Sequence, residues 1–268
     1  VVFDCHQHYG HLTDDPSRPA DAGWAETERA ARLAAMDALG IARALVMPAN
    51  DYACPNGIAD TRAVNDGVRA YLDARPDRFA AGVGVAEPRH GRAALDEIRR
   101  CRDELGLAGI QYHCRFQGVA TDHPWMFRHL EAIGELGLLA FVHSHADSRF
   151  EAPLGLGRLA AAFPDLPIVV LDSCSGYHHS LECLDLAERY ANLRFDTALA
   201  YNLMPIVEMV GRFGAARVLF GSDIYSHPHT FRTAHPPAAI IEALGPADAA
   251  AVLGGNLNAL LSPTSDHA

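Results

Sequence analysis

Near the start of the chain, two histidines stand two residues apart, with an aspartate two residues before the first: Asp4-Cys5-His6-Gln7-His8. Imidazole nitrogens bind zinc at about 2.0–2.1 Å and suit other first-row divalent ions. On an extended segment, side chains alternate. Asp4, His6 and His8 would then share one face, with Cys5 and Gln7 on the other. Histidines so spaced stand roughly 6–7 Å apart along a strand, and their rings can converge on one ion. Two further donor-bearing segments lie far along the chain, His143-Ser144-His145 and Gly221-Ser222-Asp223. Three imidazoles and a carboxylate would leave a coordination position for water, whose pKa a bound zinc lowers to about 7. The chain has 15 histidines in 268 residues, against roughly six from average usage, so their placement carries weight.

The elements that must position these groups are short apolar runs. They are Val1–Phe3, Ala44–Met47, Ala80–Val85, Ala108–Tyr112, Leu138–Val142, Ile168–Leu171, Leu193–Phe195 and Val218–Phe220. They are too short for helices and lack alternation, as strands buried on both faces do. Between them lie stretches with helical period, such as Val64, Val68, Tyr71 and Leu72, or Leu203, Ile206, Val207 and Val210. Gly40, Gly106, Gly137 and Gly214 close helical patterns. Eight strands alternating with helices imply parallel pairing and a single-domain (β/α)8 TIM barrel over 1–261, with 262–268 as a tail. An open doubly wound sheet is the runner-up. In a barrel, function sits at the C-terminal ends of the strands. His6 and His8, His143, and Asp223 follow the first, fifth and eighth runs, and so fall on one rim.

Composition removes other classes. Lys+Arg is 22 and Asp+Glu 33, a net charge of −11. That balance argues against a nucleic-acid binder or a polybasic membrane anchor. No apolar run is long enough to span a membrane. Val1–Gly10 has no basic head or small-residue cleavage site, so no signal peptide is expected. The six cysteines are scattered without a C-x-x-C pair, which disfavours a zinc finger or disulfide framework and predicts reduced thiols in a cytoplasmic protein. A homodimer is the expectation from base rates alone.

The chain resembles the amidohydrolase superfamily, in its amidohydrolase-related branch. That branch includes aminocarboxymuconate-semialdehyde decarboxylase and lactone-cleaving dicarboxylate hydrolases. Asp4–His8 matches the opening D-x-H-x-H, and His143 matches the next metal histidine. Arg217–Asp223 is similar to the eighth-strand R-x-L-F-G-S-D, and Leu253–Leu261 to the closing G-x-N-a-x-x-L-L helix. The resemblance implies a (β/α)8 barrel and one divalent metal, Zn²⁺ first and Mn²⁺ or Fe²⁺ next, held by His6, His8, His143 and Asp223. Two positions depart from it. Where the family has a histidine after strand 6, this chain has Asp172. A carboxylate there can take a proton or hydrogen-bond the water, join the metal, or only orient a neighbouring ring. His178 is a candidate to replace the missing imidazole. On strand 4, Gln111 stands where dinuclear relatives carry a carbamylated lysine, so one metal is expected.

Other residues are candidates to touch a small-molecule substrate, for instance a carboxylic acid. His113 and Arg115, just past strand 4, could grip a carboxylate. His145 would share the face of His143 if strand 5 continued. Tyr225 opens a rim loop, Tyr225–His229, that could act as a lid. The leading expectation is hydrolysis by metal-activated water, with Asp223 taking the proton and Asp172 assisting. The alternative is a metal-dependent non-oxidative decarboxylase of an unsaturated or aromatic acid. A barrel that has lost catalysis and only binds is the third.

Overall fold

A computed structural model describes residues 1–10, 23–49, 54–225 and 233–262. The strands are β1 Val2–Tyr9, β2 Ile41–Pro48, β3 Phe79–Val85, β4 Gly109–Tyr112, β5 Leu139–His143, β6 Ile168–Leu171, β7 Leu193–Asp196, β8 Val218–Leu219 and β9 Ile224–Tyr225. All pair in parallel, in the order β8-β7-β6-β5-β4-β3-β2-β1-β9. The segment from Val218 to Tyr225 is one stave in two pieces. Its first half pairs with β7 and its second with β1. Between the halves, Cys5 N donates to Phe220 O at 2.9 Å and Asp223 N donates to His6 O at 2.9 Å. The sheet is thereby closed, and the expected (β/α)8 barrel is what forms.

Helices separate the strands: α1 Trp24–Leu39, α2 Ile58–Ala74, α3 Arg92–Asp103, the one-turn α4 Cys114–Gln117, α5 Pro124–Glu135, α6 Pro153–Ala162, α7 Tyr177–Arg189 and α8 Met204–Phe213. Short α9 Pro237–Leu244, α10 Pro246–Ala250 and α11 Asn256–Leu261 follow. Gly40, Gly106, Gly137 and Gly214 all have positive φ, as expected where helical turns end. No helix among the described residues is long and apolar enough to cross a membrane.

Strand alternation divides the apolar residues into two layers. Leu139, Phe141, Val169, Leu171 and Leu219 fill the barrel with Phe3, Cys5 and Leu257 of α11. Ala140, Val142, Ile168 and Val170 face outward and pack with helix residues such as Met36, Val68, Ile98 and Leu159. The same alternation continues upward, so His143 follows Leu139 and Phe141 on the inner face, and Asp196 is inward because Leu193 and Phe195 belong to the outer layer.

β1 breaks the strict alternation expected for it. Its register against β2 slips between Asp4 and Gln7: Asp4 pairs with Ala44 and Gln7 with Val46, three steps against two. This is a β-bulge, which changes which face a side chain takes. Phe3 and Cys5 point into the barrel, yet His6 and His8 do too. Asp4 does not share their face. Its Oδ2 accepts from Gln7 Nε2 at 2.8 Å, and Gln7 in turn meets Arg32 of α1, outside the sheet. Asp4 Oδ1 accepts from His6 N and Ser222 N, both at 3.0 Å. The motif's aspartate is therefore a clamp on the bulge and the eighth stave.

Candidate active site

Three imidazoles converge at the C-terminal mouth of the barrel. His6 Nε2 lies 2.8 Å from His8 Nε2. The His143 ring centroid is 5.3 Å from that of His6 and 5.5 Å from that of His8. Each ring is held by its other nitrogen. His8 Nδ1 donates to Pro48 O at 2.7 Å and His143 Nδ1 to Tyr112 O at 2.9 Å. A carbonyl only accepts, so both Nδ1 atoms carry the hydrogen and both Nε2 atoms of the neutral rings present a lone pair inward. His6 Nδ1 is 2.7 Å from Asp196 Oδ2. All three rings are fully buried. Burial, with the neighbouring His6, pushes the pKa of His8 and His143 well below the usual histidine range. Burial also opposes charge on His6, but Asp196, Asp223 and Asp172 outweigh it and hold its pKa at about 9.

Two carboxylates complete the cluster. Asp223 Oδ1 is 3.5 Å from His6 Nε2 and 3.7 Å from His8 Nε2. Asp172 offers an oxygen within 4.8 Å of donor atoms on His6 and Asp223, and also of His113 and His143. Both aspartates follow their strands with left-handed backbone, φ 59° at Asp172 and φ 56° at Asp223. Such conformations cost energy in non-glycine residues and cluster at functional sites. Gly221 is needed beside them, because a Cβ there would stand 2.8 Å from Asp196 Oδ2 and 2.9 Å from His6 Cβ. Burial and mutual repulsion push Asp223 well above the carboxylate range, His6 offsetting in part. Burial raises Asp172 to about 6, against the pull of His6.

These donors fit a divalent cation. His143 Nε2, Asp172 Oδ1 and Asp223 Oδ1 are buried lone-pair atoms without a hydrogen-bond partner. Buried polar atoms are normally satisfied. Here three such acceptors gather; one proton on His6, 3.5 Å from Asp223 Oδ1, cannot satisfy them all, whereas a cation can. The backs of all three histidines are already tied to a carbonyl or a carboxylate, the arrangement that orients metal-binding imidazoles.

Beside the cluster, His113 stacks on His143, with centroids 3.8 Å apart and planes 11° from parallel. Its Nδ1 is 2.6 Å from Glu151 Oε1, and Arg115 Nη2 is 3.4 Å from its Nε2. Glu151 also accepts from Arg115 N at 3.1 Å, and burial lifts its pKa to about 7. Tyr225 stacks on His8 at 4.2 Å. The structure thus brings His113, Arg115 and Tyr225 to the same mouth.

Two expected contacts are placed elsewhere. β5 ends at His143, so His145 does not continue its face. It is half-buried in the following turn, its Nδ1 accepting from Asp147 N at 3.2 Å. His178 is exposed on the first turn of α7 against Tyr177. The buried face of that helix carries His179, Ser180, Cys183 and Leu184. His179 is the one turned inward, 2.9 Å from Ser144 Oγ, so His178 does not replace the strand-6 imidazole. The lid expected at Ser226–His229 lies outside the described residues.

Sequence reasoning missed Asp196 and Glu151. Asp196 had a signal like the one that found Asp223, a carboxylate at the end of an apolar run. Glu151 had none, because it lies in the loop eight residues past β5 and reaches His113 only through the fold.

Comparison with known proteins agrees with this geometry. The amidohydrolase family model, Amidohydro_2, matches residues 3–261. A curated relative, 2-amino-3-carboxymuconate-6-semialdehyde decarboxylase of Dictyostelium discoideum, is 34% identical over 80 residues; the match spans 30% of this chain and 22% of that protein. Among solved structures, 5-carboxyvanillate decarboxylase from Sphingomonas paucimobilis superposes with a TM-score of 0.74 at 21% identity, covering 97% of this chain and 98% of that one. Dihydroxybenzoic acid decarboxylase from Polaromonas sp. JS666, with bound manganese and the inhibitor 2-nitroresorcinol, gives 0.72 at 18% identity, covering 97% and 96%. With its barrel closed and the family model matched from the first strand to the last helix, the chain belongs to the amidohydrolase family.

Proposed function

We propose that this chain is a metal-dependent, non-oxidative decarboxylase of an aromatic or unsaturated carboxylic acid. The carrying observation is the convergence of His6, His8, His143 and Asp223, with His143 Nε2 and Asp223 Oδ1 buried and without a hydrogen-bond partner, beside a cationic Arg115. The three relatives named above are decarboxylases, which supports carbon–carbon cleavage over the hydrolysis that led the expectations from sequence. All six cysteines are free thiols, in keeping with a reducing, cytoplasmic setting.

His6, His8, His143 and Asp223 would hold one divalent ion, manganese or zinc among the candidates. When bound, that ion supplies Lewis acidity, drawing electron density from a substrate oxygen. Arg115 presents a planar fork that pairs with the substrate carboxylate, and His113, fixed by Glu151, lines the same wall. Asp223 is 13% exposed where His6 and His8 are fully buried. Its carboxyl could thus serve as a ligand and still be reached by a substrate. In the reaction the bond to the carboxylate carbon breaks, its electron pair stays on the ring or chain carbon, and a proton from Asp223 makes the new C–H bond. Carbon dioxide leaves, and solvent returns the proton.

The test is a panel of hydroxylated benzoates and unsaturated acids set beside esters and lactones, with metal-loaded protein. Carbon dioxide release is expected, abolished by a chelator and restored by Mn²⁺ or Zn²⁺. Opening of an ester or lactone with no carbon dioxide from any acid overturns the proposal in favour of hydrolysis; no turnover at all returns the binding-only reading. Within a responding substrate, Arg115→Gln is expected to raise KM on the order of 10–100-fold, the worth of a charged hydrogen bond. An unchanged KM would remove Arg115 from carboxylate binding.

A further inference from the structure

We propose that Asp172 is a fifth protein donor to the ion held by His6, His8, His143 and Asp223, so that three imidazoles and two carboxylates bind it. The inference rests on the metal reading above and specifies its ligand set. It makes the replacement of the strand-6 histidine a change in the metal centre itself.

The first reason is position. Donors about 2.0–2.2 Å from one ion stand within about 4.4 Å of each other. An Asp172 oxygen lies within 4.8 Å of donor atoms on His6 and Asp223, and in a second grouping within 4.8 Å of His143, close to the spacing that donors to one ion require. The second is satisfaction. Asp172 Oδ1 is buried without a hydrogen-bond partner, and its residue is only 2% exposed. A carboxylate oxygen held there without a partner is costly unless a cation meets it. The Asp223 side chain is 13% exposed and can touch a substrate, whereas Asp172 is buried.

The third reason is construction. Asp172, directly after β6, and Asp223, directly before β9, share a left-handed backbone, and a carboxylate oxygen of each reaches the donor atom of His6. The turn at Asp172 is fixed from behind. Ser173 N donates to Asp196 Oδ1 at 3.3 Å and Ser173 Oγ donates to Asp196 O at 2.6 Å. Asp196 is also the residue that holds His6 Nδ1. One buried carboxylate therefore sets the orientation of both His6 and Asp172, as supporting contacts around a metal do.

The neighbouring candidate, His113, does not serve instead. An imidazole lone pair lies in its ring plane, and the planes of His113 and His143 are stacked within 11° of parallel at 3.8 Å. One ion can lie in the plane of only one of them. The Arg115 guanidinium, 3.4 Å from His113 Nε2, also keeps a second cation away. Five donors of this kind suit an ion that takes five or six nitrogen and oxygen ligands, such as manganese or iron, better than tetrahedral zinc.

The test uses the full-length protein and its Asp172→Asn variant. Asparagine tolerates the left-handed backbone, and thermal unfolding of both metal-free proteins checks that the fold is kept. Mn²⁺ binding is measured by electron paramagnetic resonance titration, and coordination number by the visible absorption of the Co²⁺ forms. The variant is expected to bind Mn²⁺ about 10–100-fold more weakly, with a more intense Co²⁺ band from a lower-coordinate ion. An unchanged Co²⁺ spectrum, whether Mn²⁺ affinity falls or not, overturns the proposal and leaves the four-donor site standing with Asp172 as a supporting contact. A parent protein that takes up no stoichiometric ion overturns both the proposal and the metal reading on which it rests.

Discussion

Asp223→Asn is expected to lower kcat by about 10²–10⁴-fold, the range that a positioned proton-transfer group contributes. The substitution is close to isosteric, and asparagine accepts the φ of 56° at this position. The backbone bond from residue 223 N to His6 O does not involve the side chain. What changes is chemical: the amide can neither take up a proton and pass it to carbon nor, as the ionised carboxylate can, present an anionic oxygen to His6 and His8. The same variant is expected to hold less metal, because one anionic donor is gone. Elemental analysis beside single-turnover kinetics separates the two losses. If metal content falls and excess Mn²⁺ restores it without restoring turnover, proton delivery is the missing function. Unchanged turnover and unchanged metal would remove Asp223 from the reaction.

The second large effect lies outside the barrel wall. Arg32 of α1 is fully buried. Its Nε donates to Glu28 Oε1 at 2.9 Å, Nη1 to Gln7 Oε1 at 3.0 Å and Nη2 to His8 O at 2.6 Å. Glu28 Oε2 accepts from the Tyr71 hydroxyl at 2.7 Å. Arg32→Ala leaves Glu28 as a buried charge without its cation, a change that costs about 3–5 kcal/mol. Urea unfolding should show it as a lower midpoint at similar slope. Because two of the bonds end on β1 between Asp4 and Tyr9, metal affinity is expected to fall as well. Removing Glu28 and Arg32 together is expected to cost less than the sum of the single changes, since neither charge is then left alone. Strict additivity would show that the pair does not act as a unit.

Much of the barrel was legible because its signal is local. Eight apolar runs, spaced by helical period and closed by glycines, reflect backbone geometry that each segment carries by itself. The last run shows where this reading thins. Val218–Phe220 reads as one short strand, yet the stave continues through Gly221-Ser222-Asp223 to Ile224–Tyr225 and changes partner from β7 to β1. A pairing switch of that kind is invisible in a single chain, because it depends on which neighbours stand on each side.

The sequence by itself determined the kinds of donor and the rim on which they meet: His6, His8, His143 and Asp223 sit at strand ends, and strand ends of a parallel barrel point one way. It left open which faces these side chains take and what stands behind them. Only the tertiary structure decided that a bulge turns Asp4 away from His6 and His8, that α7 buries His179 and exposes His178, and that Asp196 and Glu151 hold the rings. It also brought an Asp172 oxygen within 4.8 Å of donor atoms on His6 and Asp223. The reason is physical: alternation and helical period are properties of neighbours in sequence, whereas a bulge, a left-handed turn and a buried carboxylate are fixed by contacts between segments as far apart as His6 and Asp196, and those exist only once the barrel has closed.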